Sequence, residues 1–229
     1  MKKHILVIIG VFFSVLGYGQ EATNRLKSLE DSGVNLYQAR SRSKIASING
    51  SPYIIKIFSH AKVGTVIQNA LVRYNACDDE FEFISSKGDT LVLSKSEDYA
   101  DITLTAMKTR YQLVNFIEKN GKSNLGYLIN SYEKDGNILY KRQKVDYYPA
   151  KAAKSSYETS TQARYSEVKA IFFIKIKDNE ITELPSSKKG LLKLFPEKKI
   201  ELETFLKQND IDLEKEQDLM RLLDFFSLQ

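Results

Sequence analysis

From Asn49 to Pro185 apolar residues recur at every second position, in short runs cut apart by turn-forming pairs. That rhythm restricts the segment to strands with one buried face. The run ITLTAM sets Ile102, Leu104 and Ala106 on one side and Thr103 and Thr105 on the other, and TLVLS alternates likewise. The runs are separated by Asn49-Gly50, Lys87-Gly88, Asn120-Gly121, Asp135-Gly136 and Asp178-Asn179. Such residues tolerate positive φ or bond their own backbone, so successive antiparallel hairpins are expected. The clearest is LGYLINSYEKDGNILYKRQKV around Asp135-Gly136, and AIFFIKIKDNEITEL is another.

After Pro185 the period lengthens to that of helices. SSKKGLLKLF reads as a short apolar helix, Pro196 suits the first turn of a second with Leu202, Phe205 and Leu206 on one stripe, and Asp212 is placed to cap a third. In that third helix Leu219, Leu222, Leu223 and Phe226 lie at i, i+3, i+4 and i+7, a stripe suited to covering a sheet. The expected fold is α+β: an antiparallel β-sheet or partly open barrel built of successive hairpins, over residues 49–185, capped by C-terminal helices over 186–229.

The chain before Asn49 reads differently. Lys2 and Lys3, an apolar run from Ile5 to Leu16 and a small-x-small site at Gly17 and Gly19 make residues 1–19 a secretory signal peptide, and the run is too short for a membrane span. Cleavage after Gly19 would leave Gln20 first and 210 of the 229 residues, enough for a substantial core. It removes two of the 34 basic residues and none of the 29 acids, taking the net charge from +5 to +3. So mild a charge does not point to nucleic acid. Residues 20–48 form a polar lead-in, read as a tether with a short helix near Thr23 to Leu29 and a basic, serine-rich patch at Arg40 to Lys44.

The single cysteine, Cys77, excludes a disulfide scaffold. It lies in LVRYNACDDEFEF, where Val72 and Tyr74 face one way, Phe81 and Phe83 resume the alternation, and Cys77 to Asp79 reads as a turn. Asp78, Asp79 and Glu80 are consecutive and lack the spacing of a calcium loop. His60 is the only histidine after the signal segment, and neither it nor Cys77 sits in a catalytic pattern. G-x-S-x-G and H-E-x-x-H are absent, and NGKSN at 120–124 lacks the first glycine of a phosphate loop, which would fall at Phe116. No catalytic residue, cofactor or metal ligand is therefore assigned.

One region combines bases with rings. Tyr140, Lys141, Arg142, Lys144, Tyr147, Tyr148, Lys151, Lys154 and Tyr157 interleave charge with stacking area, a composition suited to an acidic polymer, while also matching ordinary strand propensity. The last of them enter residues 150–166, which hold no large aliphatic side chain and read as a mobile loop.

GSPYI at 50–54, LVRYN with its acidic turn and EFEF, and the ending EKEQDLMRLLDFFSLQ resemble a family of uncharacterised secreted proteins from Gram-negative bacteria. The resemblance spans most of the chain beyond the signal segment. It implies export to the periplasm, the outer membrane or the medium, with a β-rich body and C-terminal helices, and carries over no catalytic residue. The family's turn usually lacks a cysteine, which weakens a functional reading of Cys77. The expected function is a non-enzymatic interaction protein whose partner is an acidic envelope component or another envelope protein, with no nucleic acid and no span after cleavage. A binding protein for a lipid-like ligand under the sheet is the alternative, and a hydrolase the less favoured one.

Overall fold

The alternating segment becomes twelve strands in the computed structural model, which describes residues 48–65, 67–153, 157 and 159–228. Residues 1–47, on which the expected signal peptide, tether and short helix fall, and Lys154 lie outside the described residues. The strands are β1 (Ser59–Val63), β2 (Ile67–Asn75), β3 (Glu80–Ile84), β4 (Thr90–Val92), β5 (Asp101–Leu104), β6 (Thr109–Ile117), β7 (Ser123–Lys134), β8 (Asn137–Lys144), β9 (Tyr147–Tyr148), β10 (Arg164–Tyr165), β11 (Lys169–Lys175) and β12 (Ile181–Glu183). Ten of them form one sheet in the order β12-β11-β8-β7-β6-β5-β1-β2-β3-β4, and β9 and β10 make a separate two-stranded ribbon. All neighbours in the large sheet are antiparallel except one pair. β12 also runs parallel to β6, Ile181 opposite Phe116, and closes β6, β7, β8, β11 and β12 into a ring.

Turn chemistry sets the hairpins. At the β7–β8 corner Asp135 and Gly136 both have positive φ (50° and 78°), the pair that matches strand twist in a two-residue turn. Lys87-Gly88, Asn120-Gly121 and Asp178-Asn179 likewise fall between paired strands. Asn49-Gly50 differs: it joins no hairpin, and Asn49 instead bridges to Arg164. Ala106 also departs from expectation, because β5 ends at Leu104 and Ala106 is exposed in the turn to β6.

Since side chains alternate, β6 and β7 feed two cores. Tyr111, Tyr127 and Ile129 face the first, where β1 to β5 curl until Phe81 of β3 meets Tyr127 edge-on at 4.9 Å. Phe116, Leu128, Tyr140, Phe173 and Ile181, one from each strand of the ring, fill its interior. The ring is a packed core.

The helices are α1 (Lys188–Leu194), α2 (Lys199–Gln208) and α3 (Glu216–Ser227). Ser187 caps α1 by accepting the Gly190 N–H at 3.2 Å, and Pro196 begins a single 3-10 turn ahead of α2. Asp212 does not cap α3. It accepts the N–H of Glu214 in a local turn, and the helix begins at Glu216, three residues later than the expected start at Leu213. Leu219, Leu222, Leu223 and Phe226 are buried against Leu139 of β8 and Ile174 of β11, forming a third core outside the ring.

Burial pushes Tyr111 and Tyr140 from an ordinary 10.0 up to about 12. Tyr74 and Tyr127 move the same way, through burial first and the charge of Asp79 second. A folded pKa above the unfolded one means this contribution is intact below pH 10.0 and is lost as pH rises towards about 12. We expect these rings to ionise together with unfolding in that interval, read by tyrosinate absorbance alongside circular dichroism. Reversible ionisation of all four before the fold is lost would contradict their burial.

Candidate functional site

The stretch around Cys77 is a turn, and the turn is an internal part of the molecule. Asn75 Oδ1 accepts the N–H groups of Cys77 and Asp78, both at 3.1 Å, which folds the chain back at the end of β2. Asp79 follows in the left-handed region, φ 57°, a conformation that Asp tolerates better than most residues. The β7–β8 ladder runs from Ile129 opposite Lys141 to Lys134 opposite Asn137 and does not reach Tyr127. Asp79 occupies that gap. Its carboxylate accepts the Tyr127 N–H (3.2 Å), the Tyr74 hydroxyl (2.7 Å) and the Lys95 ammonium (2.7 Å), and the Val145 N–H donates to the Ala76 carbonyl (3.1 Å). Gly126 makes room, since a Cβ there would lie 2.5 Å from Asp79 Oδ2.

The neighbouring motif residues are similarly engaged. Arg73 lies 3.8 Å from the centre of the Tyr53 ring and pairs with Glu82, whose other oxygen accepts the Tyr53 hydroxyl at 2.9 Å. SPY, RYN and EFEF thus contribute to one packed cluster, which accounts for them structurally.

His60 and Cys77 are not brought together. His60 stands opposite Leu71 with Nδ1 2.6 Å from Asn69 Oδ1, about 13 Å of strand short of Asn75, where the turn begins. The Cys77 thiol is pushed up, by burial and then by the charge of Asp78, opposite to what activates a nucleophile. Among the described residues no three His, Cys, Asp or Glu side chains gather as a metal site, and no helix is long and apolar enough to cross a membrane.

The nine residues that interleave bases with tyrosines divide between different environments. Tyr140 is buried in the ring. Lys141 pairs with Glu216 at the start of α3 (2.8 Å), and Arg142 lies over the Phe116 ring and pairs with Glu118 (3.2 Å). Lys144 reaches Asp146 at 3.2 Å, which also binds Lys169 at 2.9 Å. These contacts, Lys169 first, hold the Asp146 carboxyl below its usual range. Tyr147, Tyr148, Lys151 and Tyr157 are exposed, Tyr157 almost completely at 98%.

The exposed members centre on the β9/β10 ribbon. Tyr147 pairs with Tyr165, which packs against the first core, while Tyr147 itself stays exposed beside it. One residue on, Tyr148 pairs with Arg164, and the guanidinium carbon lies 4.6 Å from the centre of the Tyr148 ring. The ribbon and the Lys151–Thr161 bridge lie partly within residues 150–166, so local pairing organises both ends of that segment. Arg164 had no signal in the sequence, because a two-residue strand has no visible period. No family model, curated protein or solved structure matches this chain.

Proposed function

We propose that this chain is a non-enzymatic, exported binding protein that engages an acidic component of the cell envelope through the outward face of the β9/β10 ribbon. The observation that carries the reading is Arg164 stacked on Tyr148, both exposed, outside every core. A solvent-facing cation over a ring presents charge and contact area together. The neighbouring bases Lys144 and Lys169 are tied to a single acid, Asp146, which leaves the cluster net positive. The separation of His60 from Cys77 supports a role without catalysis.

The ring's filled interior argues against a lipid-like ligand inside it. A cleft of about 310 Å³ lies outside it, lined by Ile54, Leu104, Met107, Tyr111 and Ile129 with the Lys141–Glu216 pair among its walls. Small-molecule sites run from about 300 to 1,000 Å³, so it is at the small end, and an ion pair in its wall suits an apolar chain poorly.

Attachment to isolated envelope material should weaken as salt shortens the reach of exposed charge. Tyr148→Ala and Arg164→Gln should each weaken it about three- to tenfold. The melting temperature should hold in both, since exposed substitutions shift stability by only about 0.5 kcal/mol. Charge reversal at Lys141 or Arg142 is a poor probe here, because their ion pairs help hold the fold. Retention indifferent to salt and to both ribbon variants would overturn the proposal.

A further inference from the structure

Two loops leave the same end of the β1–β5 pair. The Thr105 N–H donates to the His60 carbonyl at 2.9 Å, so the turn from β5 to β6 runs on beside the residues that lead into β1. Ile55, Met107 and Lys108 all line the cleft of about 310 Å³ outside the ring, which makes the two loops neighbours. Each loop puts out an apolar side chain: Ile57 is 72% exposed and Met107 43%. Leu71, 38% exposed, lies beside them, because it stands opposite His60 and shares its face of β2 with Arg73, which donates to the Lys56 carbonyl at 3.1 Å.

Ile57 is held in the open. Arg73 ties down both of its neighbours, through that carbonyl of Lys56 and by lying 4.5 Å from the centre of the Phe58 ring. Met107 sits in the turn between Leu104 and Thr109, where Lys108 takes a positive φ of 53°. An exposed apolar residue on its own is ordinary, whereas a cluster on one face marks a contact surface.

Each tip also carries a cation next to its apolar residue, Lys56 and Lys108, and neither is paired with an acid among the described residues. No acid occurs from Ile48 to Cys77 or from Ile102 to Ile117, and the acids nearby are taken: Glu82 by Arg73, Asp101 by Arg110 and Glu216 by Lys141. We propose that Ile57, Leu71 and Met107, with Lys56 and Lys108, dock the protein on an anionic lipid surface, the apolar side chains entering the headgroup region and the ammonium groups meeting its phosphates.

Size and shape select lipid over a folded protein. A stable protein interface covers about 800 Å² on each partner, more than three side chains at two loop tips and a strand face supply. A bilayer asks only for protruding apolar groups that reach about 5 to 10 Å into the headgroup boundary, with cations above them. The ribbon lacks that combination, having no Val, Ile, Leu, Met or Phe from Tyr147 to Ser166, so this contact is separate from the ribbon reading and does not rest on it.

The chain has no tryptophan, so Met107→Trp installs a unique reporter at the tip and Tyr148→Trp one at the ribbon. The protein is tested without residues 1–19, whose apolar run would enter vesicles unaided; the described fold begins at Ile48 and stays whole. With vesicles of phosphatidylglycerol and phosphatidylcholine, Met107→Trp emission should shift to the blue and be quenched by lipids brominated on their acyl chains, while Tyr148→Trp should do neither. In co-sedimentation, Lys56→Gln and Lys108→Gln should each weaken binding about fivefold, and Ile57→Ser combined with Met107→Ser at least about tenfold. Melting temperatures should hold, since all four residues are exposed. Absence of binding to the anionic vesicles, binding that ignores the tip variants, or quenching of Tyr148→Trp in place of Met107→Trp overturns the proposal. A blue shift of Met107→Trp that grows with protein concentration in the absence of lipid overturns it too, and gives the face to a second copy of the chain.

Discussion

Asp79→Ala should destabilise the protein by about 3 to 5 kcal/mol, the range for removing one partner of a buried charge pair. Asp79 is 6% exposed, and its loss strips the Tyr74 hydroxyl and the Tyr127 N–H of their acceptor and leaves Lys95 without its counter-charge. A buried polar group without a partner costs about 1 to 3 kcal/mol, so the two neutral donors together account for a loss of about that size. Asp79→Asn keeps the shape and one acceptor and should fall between the alanine variant and the parent. Chemical denaturation of the three proteins measures this, and an alanine variant within about 1 kcal/mol of the parent would show that the turn does not hold the gap between β7 and β8.

Gly126 gives an independent check on the same geometry. Gly126→Ala places a methyl where Asp79 Oδ2 stands and within 3.1 Å of the Phe116 ring, so Asp79 must retreat from its donors. The alanine should be costly in the parent and cheaper once Asp79 is already Ala. A double-mutant cycle should therefore show coupling of about 1 kcal/mol or more, whereas additive effects would mean that the two residues do not meet.

This turn also marks where the sequence ceased to be informative. Alternation and turn pairs made β2, β3, β5, β7 and β8 legible, because each strand has its own period and its own punctuation. They also identified Cys77 to Asp79 as a turn, one residue short of the turn that begins at Ala76. What they could not reveal is that the turn enters a gap between two strands about fifty residues further along, since no local pattern records a contact between Asp79 and Tyr127. The parallel β12–β6 contact that closes the ring is hidden for the same reason. At the candidate site, Tyr147 and Tyr148 stood among the interleaved rings with nothing to distinguish them from Tyr140, which is buried in the ring. Lys141 and Arg142 looked equivalent to Lys144, because a strand pattern cannot show which bases meet Glu216 or Glu118 across the fold. Arg164 acquires its place through pairing with Tyr148 in a two-residue strand, and Asn49 only through pairing with a segment over a hundred residues away.

The C-terminal stripe, legible from spacing alone, carries the other large effect. Phe226→Ala should cost about 3 to 5 kcal/mol and Leu222→Ala about 2 to 5, the range for emptying a well-packed core position. Leu222 is fully buried and Phe226 is 1% exposed, its ring 4.6 Å from that of Phe195. For a chain of this size such losses lower the melting temperature by about 5 to 20 °C. How the loss is distributed matters as much as its size. Lys134 and Tyr132 both bond Asp224, at 2.9 and 2.8 Å, Lys141 holds Glu216, and Asn137 Nδ2 donates to the Ser227 hydroxyl at 3.0 Å, so α3 is fastened at both ends to β7 and β8. Those strands also wall the ring. Loosening α3 should therefore expose ring amides as well, and hydrogen exchange in the Phe226→Ala protein should accelerate in β8 together with α3. Acceleration confined to the helix, with the ring as protected as in the parent, would make the helical layer a detachable cover, and its apolar stripe would then become a surface open to a partner.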